Sequence, residues 1–267
     1  MDLLLLSHAG VTSKEYLTLV NNGWISPELK RKLKVAETLD RAEILAVLER
    51  ENIGYITHNH RLYPSLLKEI YDFPYILYYR GNPSLLTLKM LGVVGSRKAT
   101  DYTTKSLEHL LPSLENIAII SGLAYGADEA AHRIAVKNGL HTIGVLAFGH
   151  NTHYPKTTAD IRNTMEKTHL TISEYPPDTP IQKWQFVARN RIIAGCARGV
   201  LVTEAEEKSG SLITLEMALD DNRSVYCLPG NITSALSKGT NLRIKEGAEA
   251  VTESADIQRD FDENGQL

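Results

Sequence analysis

Apolar runs recur along the chain at Leu91 to Val94, Ile117 to Ile120, Thr142 to Ala147, Leu170 to Ile172, Val200 to Val202 and Val225 to Leu228, with amphipathic stretches between them. Short continuous apolar runs suit strands buried on both faces, and their alternation with helical segments predicts a parallel sheet covered on both sides. The intervening pattern places helices near Thr103 to Leu114, Asp128 to Lys137, Thr158 to Lys167, Phe186 to Ala194 and Leu212 to Asp220. The first part of the chain reads differently. Up to about Ile70 it shows short amphipathic helices, and from Arg61 to Pro83 tyrosines and prolines cluster as in an extended connecting segment. The expected organisation is a small helical module with connector over 1–75 and an α/β domain over 76–267.

Composition narrows the class. The chain has 267 residues and 43% hydrophobic content, enough for a packed core. Leu3 to Leu6 is the longest apolar stretch near the start and is far too short to span a bilayer, and no signal segment is seen, so a cytoplasmic protein without membrane contact is expected. Cys196 and Cys227 lie in apolar patterns without a nearby partner, which suits buried reduced thiols. With 29 Lys and Arg against 32 Asp and Glu, the net charge of −3 argues against a coat for nucleic acid, so any phosphate binding is local.

Three short turns carry the chemistry. Gly95-Ser96-Arg97, Ser121-Gly122-Leu123-Ala124-Tyr125-Gly126 and Ser209-Gly210-Ser211 each follow a strand-like run and lead into a helical pattern. Such turns present backbone N–H groups and a positive helix end to an anion at one edge of a parallel sheet. The first has a glycine for close approach, a hydroxyl and an arginine able to grip phosphate, although most glycine turns after strands are structural. In the second, Asp128 reads as a helix N-cap. In the third, Ser209, Gly210, Ser211 and Thr214 either donate to a phosphate or cap the helix, and the sequence leaves both readings open. The later glycines of G-x-G-x-x-G and the lysine of a Walker turn are absent, so neither a dinucleotide cofactor nor magnesium-dependent nucleotide hydrolysis is expected.

Lys156 follows Tyr154-Pro155 at the same expected sheet edge. Lys183, Trp184 and Phe186 interleave cation and aromatic, a combination that holds single strands, though aromatics at such spacing are more often core. Asn190 and two arginines follow. On a helix Arg189 and Arg191 face different ways, so one of them is expected to pair with a carboxylate such as Glu174 or Glu204. His58, His60, His150 and His153 complete no familiar metal set, and no nucleophilic triad order is legible. No metal or cofactor is expected.

Taken in order, Val93-Val94-Gly95-Ser96-Arg97, Ser121 to Asp128 with Ala131-His132, Tyr154-Pro155-Lys156, Ser173-Glu174-Tyr175-Pro176, Ala188 to Gly195 and Lys208 to Thr214 resemble the DNA-processing protein A family, also called DprA or Smf. The resemblance implies an extended Rossmann-like domain preceded by a sterile-alpha-motif-like helical module. It further implies a homodimer that binds single-stranded DNA, protects it and loads RecA recombinase during natural transformation, without catalysis. Arg97 and Lys156 fall on phosphate-contacting positions, and Lys183 and Phe186 on the strand-binding segment before Asn190 and Arg191. On this reading Arg97, Lys156, Lys183 and Arg191 neutralise successive phosphates. The turns at Gly95, Ser96, Ser121, Gly122, Gly126, Ser209, Gly210, Ser211 and Thr214 admit the backbone. Gly239 to Gly247 is either a dimer or recombinase surface by the same resemblance or a helix covering the sheet. The rival is an enzyme like the nucleoside-monophosphate phosphoribohydrolases, with Glu216 as the acid, but their P-G-G-x-G-T core is not present at Lys208 to Thr214. A scaffold that binds no DNA is the third reading.

Overall fold

The structure is a computed structural model that describes residues 1–262. Four helices open the chain: α1 (Leu3–His8), α2 (Ser13–Val20), α3 (Pro27–Thr38) and α4 (Arg41–Arg50). Their starts follow from local chemistry. Thr12 and Glu15 form a capping box on α2, Ser26 caps α3 ahead of Pro27, and Asp40 caps α4. Then come β1 (Gly54–Thr57), α5 (Ser65–Glu69) and β2 (Ile76–Gly81). The alternating part follows: β3 (Lys89–Val94), α6 (Asp101–Leu110), β4 (Ile117–Ser121), α7 (Ala127–Lys137), β5 (Thr142–Val145), α8 (Ala159–Thr168), β6 (Leu170–Ser173), α9 (Lys183–Cys196), β7 (Gly199–Val202), α10 (Gly210–Asp220) and β8 (Ser224–Cys227). The described chain closes with α11 (Lys238–Lys245), β9 (Glu249–Ala250) and α12 (Ala255–Asp262).

Among the described residues the strands form one sheet of nine in the order β1-β2-β6-β5-β4-β3-β7-β8-β9. From β6 to β9 every pairing is parallel, and β1–β2 and β2–β6 are antiparallel. Both faces are covered. Met90 and Val94 of β3 enter the core under α9 and α10, whereas Leu91 and Val93 enter the core under α6, α7 and α12, the two-residue alternation of a strand. This is the parallel sheet covered on both faces that the apolar runs predict, in the Rossmann-like α/β form that the family resemblance implies.

The N-terminal helices share their core with the sheet edge. Leu4, Tyr16, Leu29 and Leu48 pack with Tyr75, Ile76 and Tyr78, and the Tyr78 hydroxyl lies 2.9 Å from Ser7 Oγ. The boundary drawn at residue 75 falls between α5 and β2, and β1 on its N-terminal side pairs with β2 from Gly54↔Tyr79 to Thr57↔Ile76. A strand therefore stands where helical periodicity alone was expected. Four residues are too few to establish an alternation, and only pairing with β2 makes them a strand. The run Thr142 to Ala147 also ends as a strand at Val145, with Leu146 and Ala147 buried beyond it.

Candidate functional site

The strand order reverses at β3, which has β4 on one side and β7 on the other. Turns leaving the C-terminal ends of two such strands diverge to opposite faces and open a crevice between them. Here the crevice is a cleft of about 400 Å³ lined by the first and third turns, with Ala124 of the second turn and Asp128 just beyond it. Gly95, Ser96 and Arg97 come from the end of β3. Ser209, Gly210, Ser211 and Thr214 come from the start of α10, and Phe186 and Asn190 from α9. The positive end of the eleven-residue α10 thus opens onto the cleft. Ser209 is the N-cap of α10, its Oγ accepting from Ser211 N–H at 3.3 Å and lying 2.7 Å from Ser211 Oγ.

Close approach explains the first glycine. A Cβ on Gly95 would meet Thr203 Oγ1 and Ala127 Cβ, so no larger residue lets β3 turn here. Ser96 N–H donates to the Glu204 carbonyl at 2.7 Å, and the Glu204 carboxylate accepts from Thr100 N–H and from the Thr100 and Thr103 hydroxyls. Glu204 is therefore the clamp between the ends of β3 and β7. With that frame fixed, the Arg97 guanidinium lies 5.6 Å from the Phe186 ring centre, a cation–π distance. Phe186 in turn meets Tyr154 edge-on at 5.8 Å and Phe148 at 6.4 Å. A narrow aromatic pocket adjoins the cleft, bounded by Arg97, Gly122, Tyr125, Phe148, Tyr154 and Phe186.

The second turn reaches the cleft through Ala124 and the aromatic pocket through Gly122 and Tyr125, and its other groups are engaged within the fold. Ser121 is fully buried and its hydroxyl donates to the Val93 carbonyl at 2.6 Å, so it faces the sheet. The Asp128 carboxylate accepts from Gly122 N–H at 3.1 Å and Ala124 N–H at 3.4 Å, which occupies two donors the turn was expected to offer. The helix N-cap is Gly126, with Asp128 inside the first turn of α7. Gly126 has φ +76°, and a Cβ there would strike the Ser96 carbonyl. Its place is beneath the first turn, since Ala127 N–H donates to the Ser96 carbonyl. Burial raises the Asp128 carboxyl above its ordinary value, opposed by the Arg189 charge and by the two backbone donors.

Arg191 does not line the cleft: its guanidinium is held by Glu174 at 2.7 Å and Asp72 at 3.1 Å and is only 11% exposed. Arg189 stands at the cleft instead. It is buried and donates to the carbonyls of Gly122 at 2.6 Å and Val145 at 2.5 Å, joining the ends of β4 and β5. The sequence leaves open which of Arg189 and Arg191 faces the ligand; Phe186, Arg189 and Ile193, which line the cleft, follow the three- and four-residue helical spacing that marks one face. Lys98, the cation next to Arg97 in the sequence, lines the cleft as well. Lys156 and Lys183 are exposed and do not line the cleft. Lys156 directly follows Tyr154 and Pro155 of the aromatic pocket, and Lys183 stands three residues before Phe186.

Glu216 does not line the cleft; it is paired with Arg243 of α11. The two cysteines are free and buried. Among the described residues no helix is long and apolar enough to cross a membrane.

Comparison with known proteins gives concordant results. The family model of DNA recombination-mediator protein A matches residues 54–262. DNA processing protein DprA of Streptococcus pneumoniae is 45% identical over 201 residues, which are 75% of this chain and 71% of that protein. The X-ray structure of DNA processing protein A from the same organism aligns with a TM-score of 0.87 at 35% identity, covering 96% of this chain and 95% of that one. The structure of DNA processing protein A from Helicobacter pylori, described for its unique single-stranded DNA binding mode, aligns with a TM-score of 0.70 at 26% identity, covering 78% of this chain and 95% of that one.

Proposed function

Because the chain belongs to the DNA recombination-mediator protein A family, we propose that its crevice holds single-stranded DNA by the backbone and that a homodimer passes the protected strand to RecA recombinase during natural transformation. The observation that carries this reading is Arg97 over Phe186, beside the N-terminus of α10. A cation for phosphate, an aromatic face for a base and a helix end for negative charge are the parts a sequence-tolerant strand groove uses. Lys98 extends the cationic edge from the first turn, and Lys156 and Lys183 extend it along the rim. Gly95, Ser96, Asn190, Ser209, Gly210, Ser211 and Thr214 form the walls, and Gly122 is shared with the aromatic pocket. Ser121, Gly126 and Arg191 support these walls from behind.

No catalysis is required for this role. The phosphoribohydrolase reading needs an acid at the nucleotide, and the pairing of Glu216 with Arg243 disfavours it. For the dimer, support comes from the exposed Leu242 on α11, whose neighbours Gly239 and Thr240 are buried against the body.

The test is strand binding by fluorescence anisotropy with a thymidine oligomer. Arg97→Ala is expected to weaken binding about tenfold, the size of one lost charge-assisted contact. Unchanged affinity in a folded variant contradicts the assignment. RecA loading is read separately, as filament formation on strands coated with single-strand-binding protein.

A further inference from the structure

Of the cation and aromatic residues that open α9, the strand groove uses Lys183 and Phe186 and leaves Trp184 without a task. The indole is 59% exposed and meets Tyr175 edge-on at 6.3 Å. Tryptophan is a large apolar side chain that is highly buried on average, so an open one beside a groove calls for an occupant. Ile181 and Val187 are exposed with it, which makes the start of α9 an apolar surface as well as a cationic one.

Helix geometry orders these side chains. Successive positions on α9 turn by about 100°, so with Lys183 as origin Phe186 lies about 60° and Asn190 about 20° to one side, and Val187 about 40° and Trp184 about 100° to the other. Phe186, Asn190 and Val187 line the cleft. The cleft wall thus sweeps across α9 from the Phe186 ring to Val187, and Trp184 continues the same sweep about 60° further on. Lys183 stands within the sweep, between the two rings, and is exposed. Acids do not compete for this path: Glu174 and Asp178, which flank Tyr175 in the chain, are engaged by Arg191 and Asn151, and Glu206 of the cleft comes from the turn before α10.

We propose that Trp184 is a second base platform: a single strand with one base on Phe186 crosses the start of α9, rests a phosphate on Lys183 and stacks a further base on the indole. The inference rests on the strand groove and extends it to the far side of α9. Stacking on an indole is open to every base, so the platform lengthens the site without adding sequence preference.

Tryptophan fluorescence of the full chain tests it. The chain has two tryptophans, Trp24 and Trp184, and Trp24 is 79% exposed, so Trp24→Phe leaves Trp184 as the sole indole in a folded protein. Titration of that variant with a thymidine oligomer of about ten nucleotides is expected to quench most of its emission, with the same midpoint as fluorescence anisotropy of the labelled oligomer. Trp184→Ala is expected to weaken binding about tenfold and Trp184→Phe to restore most of it. The salt slope of Trp184→Ala should equal that of the parent, because a stacked ring releases no counterion, whereas Lys183→Ala makes the slope shallower. Binding by anisotropy with unchanged Trp184 emission, or parent affinity in Trp184→Ala, overturns the platform and leaves the groove standing. Emission that responds to protein concentration and not to the oligomer assigns Trp184 to a contact between copies and overturns it too. Failure of the parent to bind the oligomer overturns the strand groove and the platform together.

Discussion

Arg189 and Arg191 stand two positions apart on α9, about 200° round the helix, and the structure gives them opposite tasks. Arg189 turns to the sheet and fastens two strand ends through carbonyl oxygens. Arg191 turns the other way, where Glu174 after β6 and Asp72 after α5 hold it and Ser13 of α2 lies 3.4 Å away. Breaking a buried pair leaves an uncompensated carboxylate, so Arg191→Ala is expected to cost about 3 kcal/mol of stability. Urea denaturation should show that loss, with strand affinity unchanged in the protein that remains folded. A tenfold loss of affinity at full stability would instead return Arg191 to the ligand.

Among the elements, the second turn shows what sequence can and cannot convey. Its glycines are legible, but their purpose is set by partners far away in the chain. A Cβ on Gly122 would run into the Arg189 guanidinium, so Gly122→Ala is expected to cost about 1–3 kcal/mol as overpacking, visible as a lower melting temperature. Leu123 adds φ +56° at a fully buried position, a backbone state a bulky residue adopts only when its surroundings hold it there. The helices over α6 to α10 were legible because periodicity and length reinforce each other, and the parallel strands because they are apolar throughout. Ser121, buried on the Val93 carbonyl, shows that the last residue of a strand faces core or crevice according to register, which composition does not reveal. The strands β1 and β9 have four and two residues and exist through pairing alone.

For the whole molecule, net charge is a poor guide to function. At −3 the chain repels a polyanion overall, yet the cleft collects Arg97, Lys98 and Arg189 against Asp128 and Glu206, of which Asp128 is engaged by the Gly122 and Ala124 N–H groups, and Glu204 beside it is spent on Thr100 and Thr103. Acid sensitivity is a second global property. Burial, with the Arg189 charge adding to it, pushes the His132 imidazole down to about 3, from an ordinary 6.5. The unfolded chain takes up a proton near 6.5 that the folded protein refuses until about 3. This contribution is therefore complete above 6.5 and is lost as pH falls. Between about pH 7 and about pH 5 the loss is about 2 kcal/mol, and His132→Gln should remove that part of the pH dependence in denaturant melts.

The central claim is that phosphates of a single strand sit on the cations around the first turn, and salt dependence of binding tests it most directly. With three to four contacts, the logarithm of affinity should fall with the logarithm of salt at a slope of roughly −2 to −3. Arg97→Ala, Lys156→Ala and Lys183→Ala should each make the slope shallower by about 0.7, and Arg191→Ala should leave it unchanged. A slope near zero in the parent protein, or one that all four variants leave untouched, would contradict the account.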